Sequence, residues 1–144
     1  MKILIIHGPN LNMLGKRDPK KYGRVSLGEL NQLLMKYVKG KEIQLTFFQS
    51  NHEGSIIDFL QNENSKTADG ILINPGALVR YGWSLRQAFI DLGKPLVEVH
   101  MSDINITGIH KSENILEDIR IGQVVGLKEK SYIVGLEKLL HSIK

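Results

Sequence analysis

Cysteine is absent from all 144 residues. That excludes a disulfide scaffold, thiolate zinc sites and a cysteine nucleophile together, and it fits a reducing compartment. No apolar run exceeds the length of a strand, so no segment reads as a membrane-spanning helix. Met1-Lys2-Ile3-Leu4-Ile5-Ile6 begins with a basic residue and an apolar run, but the run stops at His7-Gly8-Pro9, too early for a secretory signal core. It reads as a first strand, and the protein as cytoplasmic. Aromatic residues make up only 6% of the chain and form no stacking platform, which argues against nucleic acid as a partner. The glycine spacings of a dinucleotide fingerprint and of a phosphate loop are both missing. No His/Asp/Glu spacing matches a zinc motif, and Ser50, Ser84 and Ser102 lack the turn that presents a nucleophilic serine. No linker, repeat or low-complexity stretch divides the chain. It reads as a single domain, 1–144, large enough to bury a core.

What is present alternates. Short apolar runs at 3–6, 43–48, 70–74, 96–99 and 121–127 read as five strands; the third and fourth are nearly continuous, as in strands buried on both faces. Helical patterns lie between them. Ser26-Leu27-Gly28-Glu29 is a capping box, followed by Leu30, Leu33, Leu34, Tyr37 and Val38 at helical spacing, with Gly40 as a stop. A second helix runs from about Glu53 through Ile56, Ile57 and Leu60. A third carries Leu85, Ala88, Phe89 and Leu92 and ends at Gly93 before Pro95. The last starts near Ser131 and aligns Leu136, Leu139, Leu140 and Ile143. Strands alternating with helices predict a doubly wound parallel sheet, and five strands in a chain of this length predict the flavodoxin-like order 2-1-3-4-5. Ligands in such sheets bind beyond the carboxyl ends of the strands.

That rule directs attention to three connections. The first follows strand 1 and runs to Arg24; it is long, which marks a functional or a disordered loop, and it holds Arg17, Tyr22 and several lysines. By charge alone the preferred reading is a solvated basic loop. The second, Asn74-Pro75-Gly76-Ala77, is a tight turn whose asparagine offers both donor and acceptor. The third is Glu98-Val99-His100-Met101-Ser102. Period two puts Glu98 and His100 on one side of the strand, where a carboxylate can fix the tautomer of a proton-shuttling histidine. A strand-end histidine facing solvent is the alternative. His7, His52, His110 and His141 are weaker candidates. The net charge of +4 suits an anionic partner, either a carboxylated metabolite or nucleic acid, although so modest an excess is more often only a solvated surface.

Taken in order, Gly8-Pro9-Asn10-Leu11-Asn12, Arg17-Asp18-Pro19, Tyr22-Gly23, Phe48-Gln49-Ser50-Asn51-His52-Glu53-Gly54, Asn74-Pro75-Gly76-Ala77 and Glu98-Val99-His100-Met101-Ser102 resemble the type II 3-dehydroquinate dehydratases over nearly the whole chain. The resemblance implies a lyase without metal or cofactor, converting 3-dehydroquinate to 3-dehydroshikimate by trans elimination through an enolate. It implies Tyr22 as the base, acting as tyrosinate although a phenol normally titrates near ~10, with Arg17 favouring the ionised form. Asn10 would position a water against the enolate. His100 would protonate the departing hydroxyl, oriented by Glu98. Asn74, Met101 and Ser102 would hold the carboxylate and hydroxyls of the substrate. It further implies a loop bearing Arg17 and Tyr22 that closes over the site, and a homo-dodecamer built from trimers.

The chain departs from the family pattern at four positions. Arg80 stands where the family has histidine, Gln87 where it has an acidic residue used across a subunit boundary, and Thr107 and Lys111 where it has arginines. Arg80 and Lys111 are therefore expected at the substrate, with lysine unable to reproduce a bidentate guanidinium contact. These changes leave room for a paralogue acting on another carboxylated polyol or keto acid. A binding module for an anionic ligand, without catalysis, is the rival of another class.

Overall fold

A computed structural model describes residues 1–105 and 113–144. Five strands are β1 (Lys2–His7), β2 (Gln44–Gln49), β3 (Gly70–Asn74), β4 (Leu96–His100) and β5 (Gly122–Val125). They form one sheet in the order β2-β1-β3-β4-β5, with every pairing parallel. The helices are α1 (Pro19–Tyr22), α2 (Leu27–Val38), α3 (Glu53–Leu60), α4 (Glu63–Lys66), α5 (Leu78–Tyr81), α6 (Trp83–Leu92) and α7 (Lys130–Ile143). The flavodoxin-like order predicted from strand count and length is the one observed. No described helix is long and apolar enough to cross a membrane.

The sheet is covered on both faces, and strand periodicity divides its side chains between two cores. Ile3, Ile5, Leu72, Val97 and Val99 join Leu30 and Leu34 of α2 and Leu136 and Leu139 of α7. Leu4, Ile6, Ile71, Ile73 and Leu96 join Ile56 and Leu60 of α3 and Leu85 and Phe89 of α6. Each such side chain taken from water contributes roughly 1.5–3 kcal/mol before entropy is counted. The capping box forms as expected: Glu29 N–H donates to Ser26 Oγ and Ser26 N–H to Glu29 Oε1, both at 3.1 Å.

Several boundaries differ from the sequence expectation. The fifth strand is shorter than 121–127; Ile121 and Leu127 are each 46% exposed, because the edge strand pairs only with β4. Leu33, placed on the buried stripe of the first long helix, is 38% exposed. The stripe that reaches the core is the narrower one through Leu30, Leu34 and Val38. The fourth strand extends to His100, so the histidine belongs to the sheet rather than to the loop beyond it.

Close packing of α7 depends on Gly135. A Cβ there would stand 2.4 Å from Val99 Cγ1 and 3.0 Å from Leu72 Cδ1. Glycine inside a helix ordinarily loses about 0.5–1 kcal/mol relative to alanine. Here overpacking against two buried strand residues, typically about 1–3 kcal/mol, reverses the sign. Gly135→Ala will therefore lower the midpoint of urea unfolding; a raised midpoint would show that α7 can lift off the sheet at no cost.

Candidate active site

The carboxyl ends of β1 and β3 are tied directly to each other. Gly8 N–H donates to the Asn74 carbonyl at 2.7 Å, and a Cβ on Gly8 would come within 2.7 Å of the Pro75 carbonyl oxygen. Only glycine permits that approach. Asn10 follows in the left-handed region, φ 71°, a conformation asparagine tolerates better than most residues. Its N–H donates to Asn51 Oδ1 at 2.9 Å, and Gln49 Nε2 holds the same oxygen at 3.2 Å. The Phe48–Gly54 motif thus serves to brace the first loop.

The connection after β1 is ordered in two steps. Leu11 and Leu14 are buried in the core. Asp18 then caps α1, its Oδ1 accepting from Lys20 N–H at 3.0 Å, with Pro19 at the first helical position. This carries Tyr22 back over the strand ends. Arg17 Nη2 donates to the Tyr22 hydroxyl at 3.0 Å, and the guanidinium carbon lies 3.8 Å from the ring centroid. A cation in hydrogen-bond contact with a phenol oxygen stabilises negative charge on it.

Asn10, Arg17, Tyr22, Asn74, Arg80, His100, Met101 and Ser102 all line one cleft of about 270 Å³. Glu98 does not line it; it lies fully buried behind His100. The period-two argument holds, since His100 Nε2 and Glu98 Oε2 are 2.6 Å apart. With Nε2–H donating to the carboxylate, Nδ1 is the nitrogen left for proton exchange. Lys111 and Thr107 lie outside the described residues.

Sequence reasoning missed the shell around Glu98. Asn114 Nδ2 donates to both carboxylate oxygens at 3.1 and 2.9 Å, Arg120 Nη1 to Oε1 at 2.8 Å and Gln123 Nε2 to Oε2 at 3.2 Å. Burial pushes the Glu98 carboxyl up, but bonding to His100 and Asn114 and the charges of His100 and Arg120 outweigh it and hold it below the usual range. Glu98 is therefore an ionised carboxylate. Asn114 is itself fixed, its Oδ1 accepting from Leu116 N–H at 2.9 Å. Only parity along β4 and β5 offered a signal, since Gln123 pairs with Glu98 in the sheet; nothing in spacing points to Asn114 or Arg120.

Arg80 is placed at the cleft as expected, but two of its nitrogens are engaged by backbone. Nη1 donates to the Glu113 carbonyl at 2.6 Å and Nη2 to the Ile104 carbonyl at 3.2 Å. Arg86 Nη1 donates to the Ile115 carbonyl at 2.6 Å, and the same guanidinium pairs with Asp118. These two arginines deliver the Asn114–Arg120 segment to Glu98. Gln87 is exposed and donates to Asp91 Oδ1 at 2.9 Å.

The remaining surprise is His7. It is fully buried, with Nδ1 at 2.9 Å from the Tyr132 hydroxyl and Nε2 at 2.8 Å from Asn31 Oδ1. A histidine directly after four apolar residues of a central strand was the available sign of burial.

A parallel α/β domain with a cation-backed phenol and a carboxylate-backed imidazole at its strand ends falls in the class of acid–base enzymes. The chain matches the family profile described as Dehydroquinase class II over residues 1–140, and it belongs to that family of hydro-lyases. It is 46% identical to the 3-dehydroquinate dehydratase of Roseiflexus castenholzii over 140 residues, covering 97% of this chain and 88% of that one. It is 39% identical to the Bacillus subtilis 3-dehydroquinate dehydratase over 137 residues, covering 95% and 92%. The crystal structure of the type II dehydroquinase from Butyrivibrio crossotus superposes with a TM-score of 0.91 at 39% identity, covering 97% of each chain.

The buried histidine gives the protein an acid-labile limb. Burial lowers the His7 pKa to about 4 against a partial rise from Asn31, so the unfolded chain takes up this proton first as pH falls. His7 contributes its full stability above pH ~6.5 and loses it between there and pH ~4, by about 3 kcal/mol at most. Glu98, held low, adds a loss at more acid pH, as its folded form is protonated. Urea unfolding from pH 7 to 4 should show a steep fall that His7→Gln flattens; parallel curves for the two proteins would contradict this.

Proposed function

We propose that this chain dehydrates 3-dehydroquinate to 3-dehydroshikimate, with Tyr22 as base and His100 as acid. The observation that carries the reading is the shared cleft, lined by the Arg17–Tyr22 pair and by His100 backed by Glu98. Tyr22, as tyrosinate, removes the proton alpha to the ketone and Arg17 offsets its charge. The electron pair enters the carbonyl to give an enolate, against which Asn10 positions a water. His100 gives its Nδ1 proton to the departing hydroxyl while Glu98 stabilises the imidazolium. The C–O bond breaks and water leaves; Tyr22 then returns its proton to solvent, and His100 takes one up from solvent, which restores both groups. Asn74 and the backbone near Met101 and Ser102 hold the carboxylate and hydroxyls, and Arg80 adds positive charge on that side. No separate redox partner or activated group enters this balance.

An absorbance assay for the conjugated product tests this directly. Wild type will turn over dehydroquinate, and Tyr22→Phe and His100→Ala will each lose ~10²–10⁴ in kcat, the scale of a positioned acid or base. Tyr22→Phe will keep ligand binding nearly intact, because only the ionisable oxygen is lost. Near-normal turnover by Tyr22→Phe would assign the base elsewhere.

The active form is proposed to be a dodecamer built from trimers. Tyr81 and Trp83 are 59% and 56% exposed, and Ile90 is exposed on α6 as well. Such apolar surface on α5 and α6 is what a subunit contact would cover. Gln87 stands on the same helix, so the trimer contact is read as apolar there rather than ionic. Light scattering at assay concentration should give the mass of twelve chains; a monomer alone would remove the proposal.

A further inference from the structure

The Glu98 carboxylate is shared between two cationic side chains, and the proposed reaction uses only one of them. His100 Nε2 lies 2.6 Å from Oε2, and Arg120 Nη1 donates to Oε1 at 2.8 Å. The remaining donors, Asn114 Nδ2 to both oxygens and Gln123 Nε2 to Oε2, are neutral amides. The ionisable side chains are largely out of water: Glu98 is 0% exposed, His100 5% and Arg120 15%. Arg120 is delivered by the chain just before β5. Its N–H donates to the Leu116 carbonyl at 2.9 Å, and the Ile121 N–H donates to the Leu96 carbonyl at 2.8 Å. Leu116 is fully buried, which anchors the turn from which the guanidinium reaches Glu98.

Charges this close decide how firmly an imidazolium at His100 is held. A guanidinium does not lose its proton in a protein, so Arg120 offsets Glu98 permanently. The imidazolium must share a carboxylate already bonded to a cation, and it meets that cation's repulsion across the carboxylate. Both effects make the Nδ1 proton easier to give away. Burial strengthens them, because charges out of water are screened far less. With the amides alone, Glu98 would hold the imidazolium more tightly and leave a weaker acid. Other charged or titratable groups stand near the same imidazole. Arg17, Tyr22 and Arg80 line the cleft with it, Asp103 follows it on the connection after β4, and Arg86 and Asp118 pair with each other. All of them stay in place when Arg120 alone is changed.

We propose that Arg120 is a positioning residue that sets the acid strength of His100 by sharing the Glu98 carboxylate with it. The inference rests on the dehydratase reading of the cleft, in which His100 protonates the departing hydroxyl. Arg120 does not line the cleft, so its effect falls on the chemical step: a weaker acid slows kcat and leaves KM nearly unchanged. Glutamine at this position keeps a donor without the charge, and lysine keeps the charge without the planar fork. The two substitutions separate charge from hydrogen bonding.

The test pairs the pH profile of kcat on 3-dehydroquinate with an NMR titration of the His100 imidazole, assigned by its loss in His100→Ala. Both are measured on wild type, Arg120→Gln, Arg120→Met and Arg120→Lys. Arg120→Met is the second neutral variant and serves if Arg120→Gln does not fold. The neutral variants should move the alkaline limb of the profile and the imidazole midpoint up by roughly one pH unit. Their plateau kcat should fall about threefold to tenfold, following the weaker acid, with KM within about twofold of wild type. Arg120→Lys should stay close to wild type in both measurements. A folded neutral variant whose limb and midpoint stay at the wild-type pH would overturn the inference even if kcat falls, because a merely structural tie predicts that result. So would Arg120→Lys behaving like Arg120→Gln, since charge would then not be the cause. A wild type that does not turn over 3-dehydroquinate would remove the functional reading and the acid role with it; the imidazole titration, which needs no substrate, then decides the coupling of Arg120 to His100 by itself.

Discussion

A carboxylate with no exposure to solvent sits at the centre of this molecule. Glu98 would be costly in the core if it stood alone, since an unpaired buried charge is among the most destabilising groups a fold can hold. It is tolerated because His100, Asn114, Arg120 and Gln123 all bond to it. Those partners come from β4, from β5 and from the segment between them, and that segment is held by Arg80 and Arg86 through backbone carbonyls. Satisfying one charge therefore fixes the strand end, the return segment and the imidazole together. The proposed acid owes its tautomer and its aim to that arrangement.

The parity of strand positions sorts the rest. Even positions of β4 place Glu98 and His100 on the face covered by α3 and α6, beside Leu96. Odd positions of β1 place His7 with Ile3 and Ile5 on the face covered by α2 and α7. The cleft thus opens where two polar rows, one from each face, reach the carboxyl ends of the same sheet. Arg17 and Arg80 supply positive charge at its wall, while the Glu98 charge is neutralised behind it by Arg120. An anionic substrate meets the cations first.

Much of this was legible in the sequence, for reasons that are local. Continuous apolar runs marked β3 and β4, the capping box marked α2, and period two joined Glu98 to His100. The long connection after β1 declared itself by length. What was not legible depends on tertiary placement. Leu33 fits the helical stripe as well as Leu34, and only the distance to the sheet separates them. Asn114 and Arg120 reach Glu98 across a crossing of chain segments that no spacing encodes. His7 ranked only among the weaker candidates, yet β1 lies between β2 and β3, so even its last residue is covered. Arg80, read as a substrate contact from its position in the motif order, also clamps the Ile104 and Glu113 carbonyls, a second role that sequence gave no means of seeing.

The account stands or falls on the buried carboxylate governing the imidazole that faces the cleft. Glu98→Gln keeps the shape and the hydrogen-bonding reach but removes the charge that would stabilise an imidazolium. Its kcat for dehydration of 3-dehydroquinate, measured beside wild type on protein shown by circular dichroism to be folded, is the most direct test. The predicted result is a fall of ~10² or more in kcat with KM changed far less. A folded Glu98→Gln protein that turns over at the wild-type rate would contradict the account.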